Sequence, residues 1–111
     1  MRITLIYLQN EFDAWDLVHE TFIEDNDTLT DIAKNEAKVA CITQRWDWTL
    51  VKVAKCSIAT RIHEYPILIL DEVIHFEYEF DHMDGEETFN EYDYIKQVRK
   101  DYADGIGNPF K

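Results

Sequence analysis

One stretch near the middle of the last third constrains the fold more than any other part of the chain. Residues 73–81 read VIHFEYEFD, and over 76–81 aromatic and acidic residues alternate strictly. The aromatics are Phe76, Tyr78 and Phe80, and the acids are Glu77, Glu79 and Asp81. Successive side chains of a β-strand point to opposite faces, so the pattern predicts a strand with an aromatic face in a core and an acidic face in water.

The first third of the chain predicts a strand followed by two helices. Residues 2–9, RITLIYLQ, alternate and are rich in β-formers, which favours a strand. Residues 10–22 place apolar side chains at helical spacing, with Asn10 as the cap. This stripe consists of Phe12, Trp15, Val18 (or His19) and Phe22. A second helix is expected over 29–40, after a sequence at Thr28–Asp31 that resembles a capping box.

The remainder predicts further strands and a closing helix. Residues 48–55 favour a strand, although Leu50, Ala54, Ile58 and Ile62 also fit a helix, and 57–63 are expected to form a short irregular turn. Pro66 begins an apolar strand, and a tight connection at 71–72 leads to its hairpin partner, 73–80. A helix over 87–102 would close the domain, which we place at 1–104, with a loose tail at 105–111.

This order of elements resembles the thioredoxin fold. RITLIYL matches the first central strand, LVKVAKC the parallel strand beside it, and VIHFEYEF the final hairpin strand. In that family a cis-proline opens the strand beside the active site, and HEYPILIL would supply it as Pro66. The resemblance implies an α/β fold with a central mixed sheet of about four strands flanked by helices.

The resemblance does not extend to the redox motif of the family. Its oxidoreductases carry Cys-x-x-Cys after the first strand, whereas this chain has QNEFDAW there. The two cysteines, Cys41 and Cys56, lie elsewhere and fit a reducing cytoplasm better than a disulfide scaffold. The resemblance therefore implies a redox-inactive member, and fold alone then says little about function.

Charge is the strongest functional indication in the sequence. The net charge is −12, from 23 acidic and 11 basic side chains, and most of it comes from residues 64–104. Such a field repels nucleic acid and anionic membranes and attracts basic partners. We expect a cytoplasmic, non-enzymatic module without a cofactor. It would act as an inhibitor or adaptor on a basic surface of a partner protein, such as a nucleic-acid-binding surface, in the manner of phage-encoded DNA mimics.

The expected contact residues are acids and tyrosines of the last third of the chain. They are Glu77, Glu79, Asp81, Asp84, Glu86, Glu87, Glu91, Tyr92, Asp93 and Tyr94. Acids two positions apart on one strand face recur at about 6.6 Å, which is comparable to the step between phosphates of a nucleic acid.

Three alternatives compete with this interpretation. His75, Glu77 and Glu79, with His82 and Asp84 after them, could bind a metal, but no ligand-spacing motif is present and a solvated acidic face explains them. A thiol protein could use Cys41 or Cys56, the latter beside Ser57 with His63 as a base, although a small buried cysteine is the simpler interpretation. The chain could also be a structural subunit of a larger assembly.

The tryptophans give a further candidate site. Trp46 and Trp48, beside Arg45, could stack on nucleic-acid bases. The surrounding negative charge opposes this, and core anchoring would explain both indoles equally well.

Overall fold

The computed structural model describes residues 2–59 and 67–92, which form five strands and one helix. The elements are β1 Arg2–Gln9, β2 Trp15–Thr21, α1 Asn26–Gln44, β3 Trp48–Ala59, β4 Ile67–Phe80 and β5 Glu87–Tyr92. The strands form one sheet in the order β2-β1-β3-β4-β5, and every pair of neighbours is antiparallel. The helix packs on one face of the sheet, against β3 and β4.

The predicted thioredoxin-like α/β fold with a mixed sheet is wrong. The segment expected as a parallel central strand, β3, runs antiparallel to β1, with Leu5 opposite Ala54. The direction follows from β2, because a strand there returns the chain to its starting end. The helix α1 then carries it back, and β3 enters from the opposite end. Pro66, which the resemblance matched to the cis-proline of the family, lies outside the described residues.

The helix predicted over 10–22 is also wrong, because these residues form a turn and then β2. Asn10 does not cap a helix: its side-chain oxygen accepts hydrogen bonds from the backbone N–H groups of Phe12 (2.8 Å) and Ala14 (3.1 Å). The register of β1 and β2 shifts opposite Ile6 and Tyr7, which leaves Val18 as an extra residue. Val18 packs against the helix-side core. A bulge breaks the period of two, so the apolar spacing of this strand imitates a helix.

The helix expected over 29–40 is confirmed as α1 and is longer than predicted. It begins at Asn26, and its N-cap is Asp25 rather than Thr28. The Asp25 carboxylate accepts hydrogen bonds from the backbone N–H (2.9 Å) and the hydroxyl (2.6 Å) of Thr28. The helix ends at Gln44, and its C-cap, Arg45, has the left-handed conformation with φ 60°.

The main core lies between α1 and the sheet. Small helix residues allow a close approach to the strands, and all three are fully buried; they are Ala33, Ala37 and Cys41. Opposite them lie large strand residues, namely Ile6, Leu8, Val51, Val53, Phe76 and Tyr78. A smaller cluster of Leu5, Ala54 and Cys56 lies on the sheet face opposite α1, which we call the second face.

Residues 67–80 form one continuous strand instead of the predicted hairpin. The expected connection at 71–72 is a bulge, since Leu70 pairs with Cys56 and Glu72 with Lys55, and Asp71 is the extra residue. The Asp71 carboxylate accepts a hydrogen bond from the Ser57 hydroxyl. Two adjacent acids do not compel a turn when one of them has such a partner.

The last described strand replaces the start of the predicted closing helix. Residues 87–92 form β5 and pair with β4, from Phe80 opposite Glu87 to His75 opposite Tyr92. The rest of that helix and the tail at 105–111 lie outside the described residues. The strand expected over 48–55 is confirmed and continues as β3 to Ala59, so the first part of the irregular turn predicted at 57–63 is also strand.

Candidate protein-interaction site

Three connections meet at one end of the sheet. β1 ends there, β2, β3 and β5 begin there, and β4 ends there, as the antiparallel order requires. We call this surface the loop end and define it as residues 10–14, 45–48 and 81–86. A set of loops on a rigid sheet is a common place for binding residues.

Hydrogen bonds hold the three connections against one another. The Thr49 hydroxyl donates to the carbonyl of Gln9 (3.0 Å), which ties β3 to the first connection. The backbone N–H of Phe80 donates to the carbonyl of Asp47 (2.8 Å). A ring nitrogen of His82 lies 2.8 Å from the carbonyl of Trp46. The loop end is therefore positioned by tertiary contacts as well as by local turn geometry.

Each connection exposes one large apolar side chain. The exposed fractions are 81% for Phe12, 53% for Trp48 and 95% for Met83. Aromatic and methionine side chains are enriched at protein interfaces, where they supply contact area. The structure places three such residues in the connections at one end of the sheet, and this makes the loop end the candidate interaction surface.

The same three connections also carry acidic side chains. Those of the loop end are Glu11, Asp13, Asp47, Asp81, Asp84 and Glu86, and all are exposed. Asp81 also organises its turn, since its carboxylate accepts hydrogen bonds from the backbone N–H groups of Met83 (2.9 Å) and Asp84 (3.3 Å). These hydrogen bonds lower the pKa of Asp81, and the bond from the N–H of Met83 has the largest effect.

The predicted acidic strand face adjoins the loop end. Phe76 and Tyr78 are buried on the helix side, and Glu77 and Glu79 lie on the second face. Glu79 pairs with Trp48, so its carboxylate belongs to the same region as the exposed indole. Asp81 lies beyond the strand, in the turn, and differs from the other two in its local bonds.

The remaining predicted contact residues have different surroundings. Glu87 faces α1, where it accepts a hydrogen bond from the Tyr78 hydroxyl (2.7 Å) and lies 3.1 Å from the Lys34 ammonium. Glu91 pairs with Phe76 and therefore shares the helix side of β5. The ring of Tyr92 lies 5.9 Å from that of His75, on the second face. Residues 93–94, with Asp93 and Tyr94, lie outside the described residues.

A basic side chain is enclosed by aromatic rings on the second face. The Lys52 ammonium lies 4.6 Å from the ring centres of both Tyr7 and Trp15. His75 lies next to this group, 6.1 Å from the Trp15 ring. Burial lowers the pKa of Lys52, and the two rings supply cation–π attraction. The ammonium group of Lys52 is therefore engaged in contacts within the fold.

Both cysteines are buried and lie on opposite sides of the sheet. Cys41 belongs to the core beneath α1, and Cys56 to the cluster on the second face. Burial, with Asp47 nearby, raises the pKa of the Cys41 thiol to about 11, and burial with Asp71 nearby raises that of Cys56. Neither thiol has the lowered pKa of an activated nucleophile. The proposed base of Cys56, His63, lies outside the described residues.

The metal-binding alternative concerns His75, Glu77, Glu79, His82 and Asp84. Within residues 2–59 and 67–92, no group of three or more histidine, cysteine, aspartate or glutamate side chains is arranged to hold a metal ion.

α1, the helix within the described ranges, lacks the length of apolar sequence that would be needed to cross a membrane.

Comparisons with protein-family models, with curated proteins and with solved structures each gave no match to this chain.

The sequence interpretation missed the apolar half of this site. It assigned Phe12 to a helix stripe and gave no role to Met83, and it treated Trp48 as a base-stacking residue or a core anchor. The available signal was local: Phe12 lies between Glu11 and Asp13, and Met83 lies between His82 and Asp84. A large apolar residue within a polar turn has little chance of burial, and this pattern favours an exposed contact.

Proposed function

We propose that this chain is a non-enzymatic binding module, an inhibitor or adaptor, whose loop end docks on a basic surface of a partner protein. The observation that carries the proposal is the group of exposed apolar residues, Phe12, Trp48 and Met83, within a rim of acids. The apolar residues would supply buried contact area, and the acids would supply attraction and orientation. Glu77 and Glu79 would extend the acidic rim along the second face.

The charge distribution supports an electrostatically steered encounter. The acids of the loop end outnumber its base, Arg45, and the whole chain carries −12. Clusters of one sign raise association rates with partners of opposite sign, and salt screens this effect. A basic protein is therefore the expected partner.

The thiol alternative has less support. Both cysteine side chains are buried, and the pKa values of both thiols are raised. A structural role in a larger assembly has one favourable observation: residues 67–70, Ile-Leu-Ile-Leu, are all exposed by 40% or more. These residues lie at the far end of the sheet from the loop end.

The proposal can be tested with a partner captured from a host extract and then purified. The wild type is compared with the double variant Phe12→Ala and Met83→Ala. The matched control is Phe22→Ala, since Phe22 is also exposed, by 65%, but lies outside the loop end. We expect the double variant to lose binding by at least about tenfold and the control to bind normally.

A salt titration completes the test. Association should slow steeply between about 50 and 500 mM salt, because the screening length shortens over this range. A partner without basic character, a rate that does not change with salt, or equal binding by the double variant and the wild type would each contradict the proposal.

A further inference from the structure

The second face of the sheet has the composition of a buried layer. An antiparallel sheet with one face in water normally places its polar residues on that face. Away from the loop end, however, the face opposite α1 is apolar at neighbouring positions of three strands. These residues are Ile3, Leu5 and Tyr7 in β1, Ala54, Cys56 and Ile58 in β3, and Leu68, Leu70 and Val73 in β4.

Within residues 2–59 and 67–92, no helix or strand lies over this face. α1 packs on the other side, and the five strands all belong to the sheet. Leu68 and Leu70 are accordingly exposed, by 46% and 60%. A contiguous apolar surface of a sheet is normally buried against another layer of structure. We therefore looked for a segment that could cover it.

The chain leaves the described part of the sheet beside this face. Tyr92, the last residue of β5, pairs with His75, and its ring lies 5.9 Å from the His75 ring on the second face. Residues 93–111 follow and lie outside the described residues. The segment therefore starts next to the apolar surface, and no long loop has to be closed to bring it there.

The sequence of this segment has an apolar stripe at helical spacing. β5 includes the first part of the helix expected over 87–102, which leaves residues 93–102. Lys96 and Lys100 fall outside the stripe, so the pattern is amphipathic. The stripe consists of Tyr92, Ile95, Val98 and Tyr102.

The length of the segment matches the length of the apolar surface. A helix over 93–102 would be about 15 Å long. Along β4, the path from His75 to Leu70 is about 16 Å at about 3.3 Å per residue. One helix that starts at the end of β5 is therefore long enough to cover the apolar positions of the three strands.

We propose that residues 93–102 pack as an amphipathic helix over the second face, with Ile95 and Val98 against its apolar side chains. The helix runs from the end of β5 towards the far end of β4. This path leads away from the loop end and leaves Glu77 and Glu79 uncovered. The inference therefore does not depend on the proposed function, and it makes the chain's own C-terminal segment the occupant of this surface.

The first test is NMR on the full chain with labelled methyl groups. We expect nuclear Overhauser contacts from the methyl groups of Ile95 and Val98 to those of Leu5, Leu70 or Val73. No contact with the second face, or contacts with the edge of β4 alone, would overturn the inference. Contacts that arise only between labelled and unlabelled copies would also overturn it, because they would assign the face to a second copy of the chain.

Cysteine reactivity gives an independent measurement. Cys56 lies in the second face, whereas Cys41 lies beneath α1 and serves as an internal reference. The double variant Ile95→Ala with Val98→Ala removes apolar contact area from the covering segment. Cys56 should then react with a thiol reagent at least about tenfold faster than in the wild type, while the rate of Cys41 stays the same.

The matched control is the double variant Lys96→Ala with Lys100→Ala. It changes the same segment outside the apolar stripe, so the rate of Cys56 should equal that of the wild type. An unchanged Cys56 rate in the apolar variant, or an equal acceleration of Cys41, would contradict a local cover over the second face.

Discussion

Replacing Glu87 with alanine is expected to destabilise the protein by about 1–3 kcal/mol, because it leaves a buried hydroxyl without its acceptor. Tyr78 is fully buried, and its hydroxyl donates to Glu87 over 2.7 Å. The other carboxylate oxygen lies 3.1 Å from the Lys34 ammonium, which fixes the side chain against α1. Replacement by alanine removes the acceptor that the structure gives to this hydroxyl.

A double-mutant cycle separates this penalty from the general cost of substitution. Tyr78→Phe removes the hydroxyl, which is the donor of this hydrogen bond. The free energy of unfolding should fall by about 0.5–1.5 kcal/mol. The double variant Tyr78→Phe with Glu87→Ala should be less destabilised than the sum of the single changes, since no donor remains to be satisfied. Urea unfolding followed by circular dichroism measures the free energy of unfolding of the wild type and of each variant. Glu86→Ala, at an exposed neighbouring position, is the matched control.

The pH dependence gives a second measurement of the same interaction. The hydrogen bond from Tyr78, and then the contact with Lys34, lower the pKa of Glu87 below its usual value of 4.5. The stabilisation is therefore complete above the unfolded pKa and is lost as the pH falls through the folded one. The stability difference from Glu87→Gln should shrink over that range. An unchanged urea midpoint for Glu87→Ala, or strict additivity in the cycle, would refute this reasoning.

Four further predictions follow from other parts of the molecule. Asp25→Ala should lower the thermal midpoint through loss of the N-cap, and the difference should fade in acid as the wild-type carboxylate, with its lowered pKa, is protonated. Ala37→Leu should cost about 1–3 kcal/mol in urea unfolding by overpacking the helix–sheet contact. Cys41 should react with a thiol reagent far more slowly in the native protein than in urea, and equal rates would contradict its burial. Glu77→Lys with Glu79→Lys should leave the circular dichroism spectrum unchanged and weaken binding to the basic partner; normal binding would exclude this strand face from the interface.

Several features of the fold could be predicted from the sequence because they depend on neighbouring residues. The strand at β1 and the helix α1 follow from short-range alternation and from apolar residues at helical spacing. The aromatic face of β4 was predicted in the same way, since the strand period alone puts Phe76 and Tyr78 on one side. The charge of −12 required no structure.

The direction and partners of the strands depended on tertiary structure. Residues 15–21 have helical spacing of apolar side chains, but they gain hydrogen bonds along β1 and place the bulged Val18 in the core. Strand preference depends on such distant neighbours more than helix preference does. This one element reversed the direction of β3 relative to the prediction and changed the fold class.

One part of the candidate site was determined by the sequence and the other part by the tertiary structure. The sequence determined its chemistry, namely abundant carboxylates and few bases, and it identified Glu77 and Glu79 as a strand face. Only the tertiary structure brought Phe12, Trp48 and Met83 to the same end of the molecule, through connections far apart in the chain. The physical reason is that charge and periodicity are properties of the local sequence, whereas a surface made of three loops exists only once the antiparallel strand order is fixed.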